Sequence, residues 1–284
     1  MTFVNAVNLA MLSISQLYIY PIKSLGGIAV ASALVTNRGL QYDRRFMLVD
    51  SNNVFLTQRE LPAMALLRTS IEHNDLIVYH KDNLADKLRV SLVPEPSALT
   101  AMVKIFDDLC EGQYINDEAD KWFSDKLNFP CRLVYMPEST KRKVEEAYAF
   151  NDDITSFSDG YPILLIGQSS LDDLNSRMEE ALPMNRFRPN MVAAGGQPFE
   201  EDTMEQFSIN GINFYGVKLC ARCVITTTNQ QTGVTGKEPL KTLATFRMSN
   251  NKVLFGQNVL CGGEGVIRVG DEIRVVKTKP ALIK

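Results

Sequence analysis

Short β-rich segments separated by turn residues are the feature that most limits how this chain can fold. The first hundred residues contain seven such runs, among them SISQLYIYPIKS, RRFMLVDSN and DLIVYH, and turn signals recur about every 8–12 residues, which is typical of a β-barrel or a β-sandwich. Further strands are indicated by NMVAAG, FSINGINFYGVKL, CVITTTN and the closing, hairpin-like GVIRVGDEIRVVK. The sequence therefore predicts an α+β fold that is mostly β.

Only three segments have the periodicity of a helix. NDEADKWFSDKLN and SSLDDLNSRMEEAL each place an apolar stripe on one face, the second after a serine N-cap, and EPLKTLATFRM has Pro239 at a position suited to a first turn. The apolar positions of the first two segments are Ala119, Trp122, Phe123, Leu127, Leu171, Leu174, Met178 and Leu182. We expect a few helices set among the strands.

The length of the chain predicts two domains. A chain of 284 residues exceeds one typical core, and residues 136–160 are polar without periodicity, as in a linker or a lid. We place the boundary there. The sequence predicts two β-barrel-like domains, residues 12–135 and residues 136–284, with a ligand cleft between them.

Composition disfavours several classes of function. The net charge is −3, charged residues make up 22% of the chain, and no like-charged run indicates a nucleic-acid or membrane partner. No stretch approaches the roughly 18 apolar residues of a membrane span, and the N-terminal segment lacks the basic start of a signal peptide. The cysteine count is five, an odd number that fits reduced thiols. We expect a soluble cytoplasmic protein.

Two cysteines, Cys220 and Cys223, form a C-x-x-C pair in KLCARCVITTT. A zinc site would need further ligands, and both histidines lie in the early β-rich part. A redox couple needs a helix start, whereas VITTT predicts a strand, and an iron–sulfur cluster needs four thiolates. Burial as small apolar residues is the remaining interpretation. Spacing alone leaves these alternatives open.

Basic and polar side chains recur at the ends of predicted strands. They occur in YPIKSLGG, YDRRFMLVD, NRFRPNMV and CARC. The residues concerned are Lys23, Ser24, Arg44, Arg45, Arg186, Arg188, Asn190 and Arg222. Such donors suit an anion with several phosphate or carbonyl oxygens, because arginine can bind phosphate in a bidentate manner. They are also compatible with a pyridoxal phosphate-like anion site.

The ordered set LYIYPIKS, YDRRFMLVD, TQRELP, FRPNMV, CARCVITTT, KEPLKTLATFR and LFGQN strongly resembles MOSC-domain proteins that carry the associated N-terminal β-barrel domain. More narrowly, it is similar to bacterial YcbX-type proteins and the mitochondrial amidoxime-reducing component. The resemblance covers residues 12–277. It implies a molybdenum cofactor, a molybdopterin bearing one molybdenum, held between the two domains.

The resemblance also implies residue roles. It makes Cys223 the molybdenum ligand and catalytic residue, and Cys220 a structural companion. The cofactor-binding residues it implies are Lys23, Ser24, Arg45, Gly160, Tyr161, Arg188, Asn190, Arg222 and Asn258. Some members have a second cysteine after the RPN strand, where this chain has Gly196. That difference weakens any mechanism that requires two active-site thiols.

The activity implied by the resemblance is reduction of N-hydroxylated compounds, such as hydroxylamino-purines or amidoximes, by removal of the oxygen atom at molybdenum. YcbX-type chains often end in a [2Fe–2S] domain, but no cluster of cysteines follows RVVKTKPALIK. A separate ferredoxin, flavodoxin or flavin reductase is therefore expected to supply electrons. The alternative is a molybdopterin-binding or sulfur-carrier module without turnover of its own, as in cofactor sulfurases.

Overall fold

The computed structural model describes residues 11–97 and 99–283. Its strands in the first half are β1 Ser13–Ile19, β2 Ile28–Val30, β3 Ser32–Thr36, β4 Gly39–Leu40, β5 Phe46–Val49, β6 Leu67–Glu72, β7 Asp75–His80, β8 Asn83–Ser91, β9 Thr100–Ile105, β10 Asp108–Tyr114 and β11 Arg132–Tyr135. Those of the second half are β12 Arg142–Lys143, β13 Ile154–Thr155, β14 Ile163–Gly167, β15 Met191–Ala194, β16 Met204–Ile209, β17 Ile212–Ala221, β18 Met248–Ser249, β19 Lys252–Cys261, β20 Gly265–Arg268 and β21 Arg274–Thr278.

The helices are α1 Asp117–Leu127, α2 Gln168–Ser176 and α3 Leu240–Ala244, and five short 3-10 turns accompany them. The fold is mostly β with few helices, which confirms the predicted fold class. Within the described ranges, no helix has the length and apolar character that a bilayer crossing requires.

Five sheets make up the β structure. The largest has the strand order β2-β1-β15-β14-β19-β17-β16-β21, with β18 paired to β19, and its strands are antiparallel except for the parallel pair β14 and β15. The others have the orders β5-β11-β10-β9, β6-β7-β8, β20-β3-β4 and β12-β13. The first strands thus pair with strands of the second half, β1 with β15 and β3 with β20.

This pairing ties residues 13–40 to the C-terminal half of the chain, so the polypeptide crosses between the halves early. Strands β5, β6, β7, β8 and β11 form a core with α1, β9 and β10 pack in a smaller core with β5 and β11, and β1, β3 and β4 contribute to the core of the large sheet. The domain boundary near residue 136 stays a prediction. The crossing brings the loop after β1 to the junction of the two cores.

Helix α1 forms as its sequence predicts. The Asn116 side chain accepts a hydrogen bond from Ala119 N, and Asn128 ends the helix in the left-handed conformation. Ala119, Phe123 and Leu127 are buried on the side of the helix that packs on β11 and β8. The predicted stripe is therefore the core face.

Two strand predictions were wrong. Residues 265–278 do not form a hairpin, because β20 pairs with β3 and β21 pairs with β16. The segment after Cys223 is a 3-10 turn, Val224–Thr227, and not a strand. In that turn Thr226 Oγ1 and Thr227 Oγ1 donate to backbone carbonyls three residues earlier, a local bond that competes with strand pairing.

Helix α2 differs from its prediction at both ends. It begins after Gly167 and ends at Ser176, so Met178 and Leu182 lie outside it. The expected serine N-cap is replaced by a carboxylate from another segment: Gly167 N donates to Glu201 Oε1 at 3.0 Å, and Ser170 Oγ donates to Glu201 Oε2 at 2.7 Å. Glu201 is buried, and burial, together with the neighbouring Asp202, raises its pKa to about 7.

The raised pKa of Glu201 makes stability depend on pH. The folded state retains this proton at pH values above the ordinary pKa of 4.5. The contribution of Glu201 to the free energy of unfolding is therefore full below pH 4.5 and is lost as the pH rises through 7. The free energy of unfolding is expected to fall by up to about 3 kcal/mol from this group between pH 5 and 8.

Denaturant unfolding of the wild type and of Glu201→Gln at several pH values measures this effect. The glutamine preserves an acceptor for Gly167 N and does not titrate, so its stability should change less over the same interval. Parallel pH curves for the two proteins would assign the pH dependence to other groups.

Candidate functional site

A cavity of about 450 Å³ lies where loops from both halves meet the ends of the central strands. Its volume falls within the range of small-molecule and cofactor sites. Nine of the ten residues predicted for the site line it: Lys23, Ser24, Gly160, Tyr161, Arg188, Asn190, Arg222, Cys223 and Asn258. The structure thus brings residues from five separate parts of the sequence into one cleft. Their individual cofactor roles stay predictions.

Arg45 is the exception, and its neighbour Arg44 lines the cavity instead. The backbone at Arg44 is left-handed, with φ 49°, so the chain turns there and the two side chains separate. The Arg45 guanidinium donates to Glu138 Oε1 at 2.7 Å and to the carbonyl of Met136 at 2.6 Å. The prediction for Arg45 is corrected to Arg44, and Arg45 joins two segments of the first half.

Arg44 is held by a buried polar network. Its Nη1 donates to both oxygens of Asp43, at 2.8 and 2.7 Å, and to Asn190 Oδ1 at 3.1 Å. Asn190 also accepts from Leu164 N and donates to the carbonyl of Tyr18. Burial raises the pKa of Asp43, although Arg44 and Tyr20 N oppose this. Asn190 therefore positions Arg44 at the cavity wall.

Arg188 has the least satisfied side chain of the site. Its guanidinium carbon lies 4.3 Å from the centre of the Tyr20 ring, as does that of Arg44, so both cations pack on one aromatic side chain. Burial lowers the pKa of Arg188 to about 10. Its Nη2 is buried and has no hydrogen-bond partner among the residues that the structure describes, which is the arrangement that an anionic ligand would satisfy.

Four cavity residues with side chains have left-handed backbone: Ser24 at φ 67°, Arg44 at φ 49°, Arg188 at φ 56° and Asn250 at φ 48°. For residues other than glycine this conformation costs roughly 1–2 kcal/mol each. The surrounding hydrogen bonds maintain it, for example Gln58 Nε2 donating to the Ser24 carbonyl at 2.6 Å. Strain concentrated at one cleft is typical of a functional site.

Lys23 meets the one acidic residue of the cavity wall. Its Nζ donates to Asp159 Oδ1 at 2.5 Å and lies 5.6 and 5.2 Å from the ring centres of Phe55 and Phe106. Burial lowers the pKa of Lys23 to about 8, against the opposing effect of Asp159. The ammonium group is thus held at the cavity by a carboxylate that sequence reasoning did not identify.

The two cysteines of the C-x-x-C pair have different surroundings. Cys220 lies near the end of β17, where Arg222 Nη1 approaches its Sγ at 3.0 Å, and burial raises the pKa of this thiol although Arg222 opposes the effect. Cys223 precedes the 3-10 turn with extended backbone and is partly exposed on the cavity wall. Arg222 therefore contacts Cys220, and both cysteines line the cleft.

An aromatic cluster forms one rim of the cavity. Tyr148 and Tyr161 meet edge to face with ring centres 6.1 Å apart, and Lys218 Nζ lies 4.5 Å from the Tyr148 ring. Glu145 accepts from both Lys218 Nζ, at 2.6 Å, and the Tyr161 hydroxyl, at 3.0 Å. The predicted loop of residues 136–160 therefore contributes to the site, and the acidic Glu145 fixes it to β17.

A pair of buried glutamines supports the floor of the site. Gln58 Nε2 donates to Gln230 Oε1 at 3.2 Å, and Gln230 Nε2 donates to Gln58 Oε1 at 2.9 Å. The pair joins the TQRELP segment to the loop beyond Cys223. The sequence analysis gave neither glutamine a role, because nothing in the sequence indicates that two residues 172 positions apart are paired.

Charge dominates the cavity as a whole. Six basic residues and one acidic residue, Asp159, line it, although the net charge of the chain is −3. The basic residues are Lys23, Arg44, Arg188, Lys218, Arg222 and Lys252. Fixed positive charge in a cleft favours anionic ligands. Fold and site together define a mostly β protein with a positively charged cleft and two thiols on its wall.

The comparisons with known proteins identify the family. Residues 11–130 match the MOSC N-terminal beta barrel domain and residues 152–274 match the MOSC domain. The chain therefore belongs to the MOSC family, in the form that carries both domains. It is 30% identical to mitochondrial amidoxime-reducing component 1 of Mus musculus, over 92% of this chain and 81% of that protein.

Two further relatives have names that describe different functions. Mitochondrial amidoxime reducing component 2 of Homo sapiens is 32% identical, over 92% of this chain and 82% of that protein. Molybdenum cofactor sulfurase of Oryza sativa subsp. japonica is also 32% identical, over 86% of this chain but only 32% of that protein. The likeness to the amidoxime-reducing components spans nearly the full length of both chains.

Gly196 occupies the position where some family members are expected to have a second cysteine. It does not line the cavity. A Cβ atom there would lie 2.7 Å from Glu200 Oε2 and 2.9 Å from the Leu12 side chain, so a larger residue would have to displace both. In this chain the thiols of the cleft are those of Cys220 and Cys223.

Proposed function

We propose that this protein is a molybdenum-cofactor-dependent oxidoreductase that reduces N-hydroxylated compounds, with hydroxylamino-purines and amidoximes as the substrate class. The observation that carries the proposal is the cavity itself, in which six basic side chains surround a partly exposed cysteine. The similarity to amidoxime-reducing components over most of both chains supports the same reaction. The balanced reaction is R–NHOH + 2 H⁺ + 2 e⁻ → R–NH₂ + H₂O.

The residues present fit a molybdopterin. Arg188 Nη2 and Arg222 Nε are buried donors without partners among the described residues, and a phosphate or a pterin carbonyl would satisfy them. Gly160 borders open space, since a Cβ atom there would have no neighbour within 4 Å, so its backbone can be approached closely. When bound, the cofactor supplies the redox chemistry and the oxygen-atom transfer.

The residues of the chain then have distinct roles. Cys223 would be the protein's ligand to molybdenum, since its sulfur is a soft donor on the cavity wall and the resemblance to the family favours it over Cys220. Lys23, Arg44 and Arg188 hold the anionic groups of the cofactor, Asn190 and Tyr20 orient the two arginines, and Asn258 borders the cofactor from β19. The rim of Tyr148, Tyr161 and Lys218 lines the entrance and excludes water.

The proposed reaction is tested on protein made in a molybdopterin-competent host. Purified protein is mixed with a hydroxylamino-purine or an aryl amidoxime and a chemically reduced viologen, and the amino-purine or amidine product is quantified. We expect product only from protein that contains molybdenum. Molybdenum-loaded protein that reduces neither substrate with viologen, ferredoxin or flavodoxin would support the alternative of a molybdopterin-binding or sulfur-carrier module.

A sulfur-carrier role remains the second candidate because of one contact. Arg222 approaches the Cys220 sulfur at 3.0 Å, an arrangement that would also stabilise a bound persulfide, and a cofactor sulfurase is among the relatives. Detection of a stable persulfide on Cys220 by mass spectrometry in protein lacking reductase activity would favour it.

We also propose the cytoplasm as the site of action, which cell fractionation tests.

A further inference from the structure

The sequence around Cys223 differs in charge from the rest of the chain. Residues 206–263 contain six basic residues and one acidic residue, Glu238, whereas the whole chain has a net charge of −3. Glu238 is occupied within the fold, because its Oε2 accepts a hydrogen bond from Thr242 N at 3.0 Å. Lys218 and Arg247 pair with Glu145 and Asp202, so Arg222, Lys237, Lys241 and Lys252 are the basic residues of this segment that form no salt bridge with any residue the structure describes.

Exposed apolar side chains lie on the same face. Val224, the residue after Cys223, is 53% exposed, Val234 is 66% exposed and Met248 is 51% exposed. Lys237 and Lys241 are exposed, and neither forms a salt bridge with any residue that the structure describes. We call these five residues the cysteine-rim surface.

Hydrogen bonds bring the parts of this surface together. On one side of the cysteine loop, Arg222 N donates to the carbonyl of Val253 at 2.8 Å, and Val253 pairs with Met248. On the other side, Gly236 N donates to the carbonyl of Thr227 at 3.1 Å, which sets Lys237 beside the 3-10 turn. The apolar residues and the lysines therefore flank the loop that carries Cys223.

We infer that the cysteine-rim surface is the docking site for a small acidic protein that carries electrons. The inference rests on the proposed function, since the reduction consumes two electrons and the described residues contain no cluster of three or more potential metal-ligating side chains that could hold a second redox metal. An apolar centre bordered by unpaired lysines matches a partner with an apolar patch and an acidic border. Val224 of this surface directly follows Cys223, the residue that would hold the metal.

The binding test uses the holoprotein, an acidic plant-type [2Fe–2S] ferredoxin and, as a carrier of opposite charge, basic cytochrome c. Calorimetry at low salt and at about 0.5 M salt measures affinity, and screening should weaken the complex. Ferredoxin is expected to bind at low salt, and cytochrome c is expected not to bind. The double variant Lys237→Glu, Lys241→Glu should weaken ferredoxin binding at least about tenfold.

A matched control separates docking from net charge. Lys87→Glu, Lys121→Glu makes the same change of charge on β8 and α1, on residues that do not line the cavity, and should leave affinity within about twofold. Equal weakening by both double variants, absence of ferredoxin binding, or equal binding of cytochrome c would overturn the inference.

A kinetic arm distinguishes this inference from the proposed function. With reduced viologen as donor, the Lys237→Glu, Lys241→Glu protein should reduce substrate at the wild-type rate, because viologen needs no docking surface, whereas its rate with ferredoxin should fall at least about tenfold. Loss of both rates would contradict the assigned surface. Inactivity of the wild type with viologen would contradict the proposed function, and the binding measurements would still decide the docking site.

Discussion

Replacing Cys223 by alanine is expected to abolish reduction of N-hydroxylated substrates, with a loss of more than about a hundredfold, because a direct metal ligand matters at least as much as the groups that support one. The fold should be retained. The thiol faces the cavity, and the turn that follows Cys223 is held by its backbone carbonyl, which accepts from Thr226 Oγ1 at 3.0 Å. The melting temperature of the cofactor-free protein should therefore stay within about 3 °C of the wild type.

The matched control is Cys220→Ala in the same loop. Cys220 contacts Arg222, so this change leaves the ligand in place and removes only a neighbour of the arginine. We expect most of the activity to remain. An inactive Cys220 variant beside an active Cys223 variant would reverse the assignment within the pair.

Replacing Arg188 by methionine should produce the second largest effect, a loss of cofactor retention with no loss of stability. Arg188 lines the cavity and its Nη2 has no hydrogen-bond partner among the described residues, and a charge-assisted hydrogen bond contributes about 1.5–3 kcal/mol. Affinity should therefore fall by roughly ten- to a hundredfold. Methionine keeps the apolar contact with Tyr20 and removes a buried charge that has no partner, so the cofactor-free protein should melt at the same or a higher temperature.

Arg45→Met provides the comparison. Arg45 does not line the cavity, and its guanidinium bonds Glu138 and Met136, so this variant should keep its cofactor and lose some stability. Pterin fluorescence after oxidative release and thermal unfolding of both variants measure the two effects. A cofactor loss in the Arg45 variant that matches the loss in the Arg188 variant would contradict the placement of the two side chains.

The sequence was sufficient for those features that depend on local chemistry. The stripe of Ala119, Trp122, Phe123 and Leu127 predicts α1 because helical periodicity is a short-range property. The strands β1 and β17 were predicted in a similar way, as β-rich runs bounded by turn residues. The set of donors near the cysteine could be assembled only through the resemblance to a family, since no local signal relates Lys23 to Arg188.

The errors arose where non-local or backbone effects decide the outcome. Arg44 and Arg45 are adjacent and chemically identical, and the positive φ of Arg44 determines which one reaches the cavity. The closing strands were assigned to each other because they are neighbours in sequence, whereas each has its partner elsewhere. Asp159, Lys218 and the Gln58–Gln230 pair have no sequence signature, because their roles depend on contacts across the fold.

The central claim is that one molybdenum is held in this cleft by Cys223. It is tested most directly by the molybdenum content of purified protein from a molybdopterin-competent host, measured by elemental mass spectrometry for the wild type and for Cys223→Ala. We predict about one molybdenum per chain in the wild type and less than about a tenth of that in the variant. Equal molybdenum in both proteins, or none in the wild type, would contradict the claim.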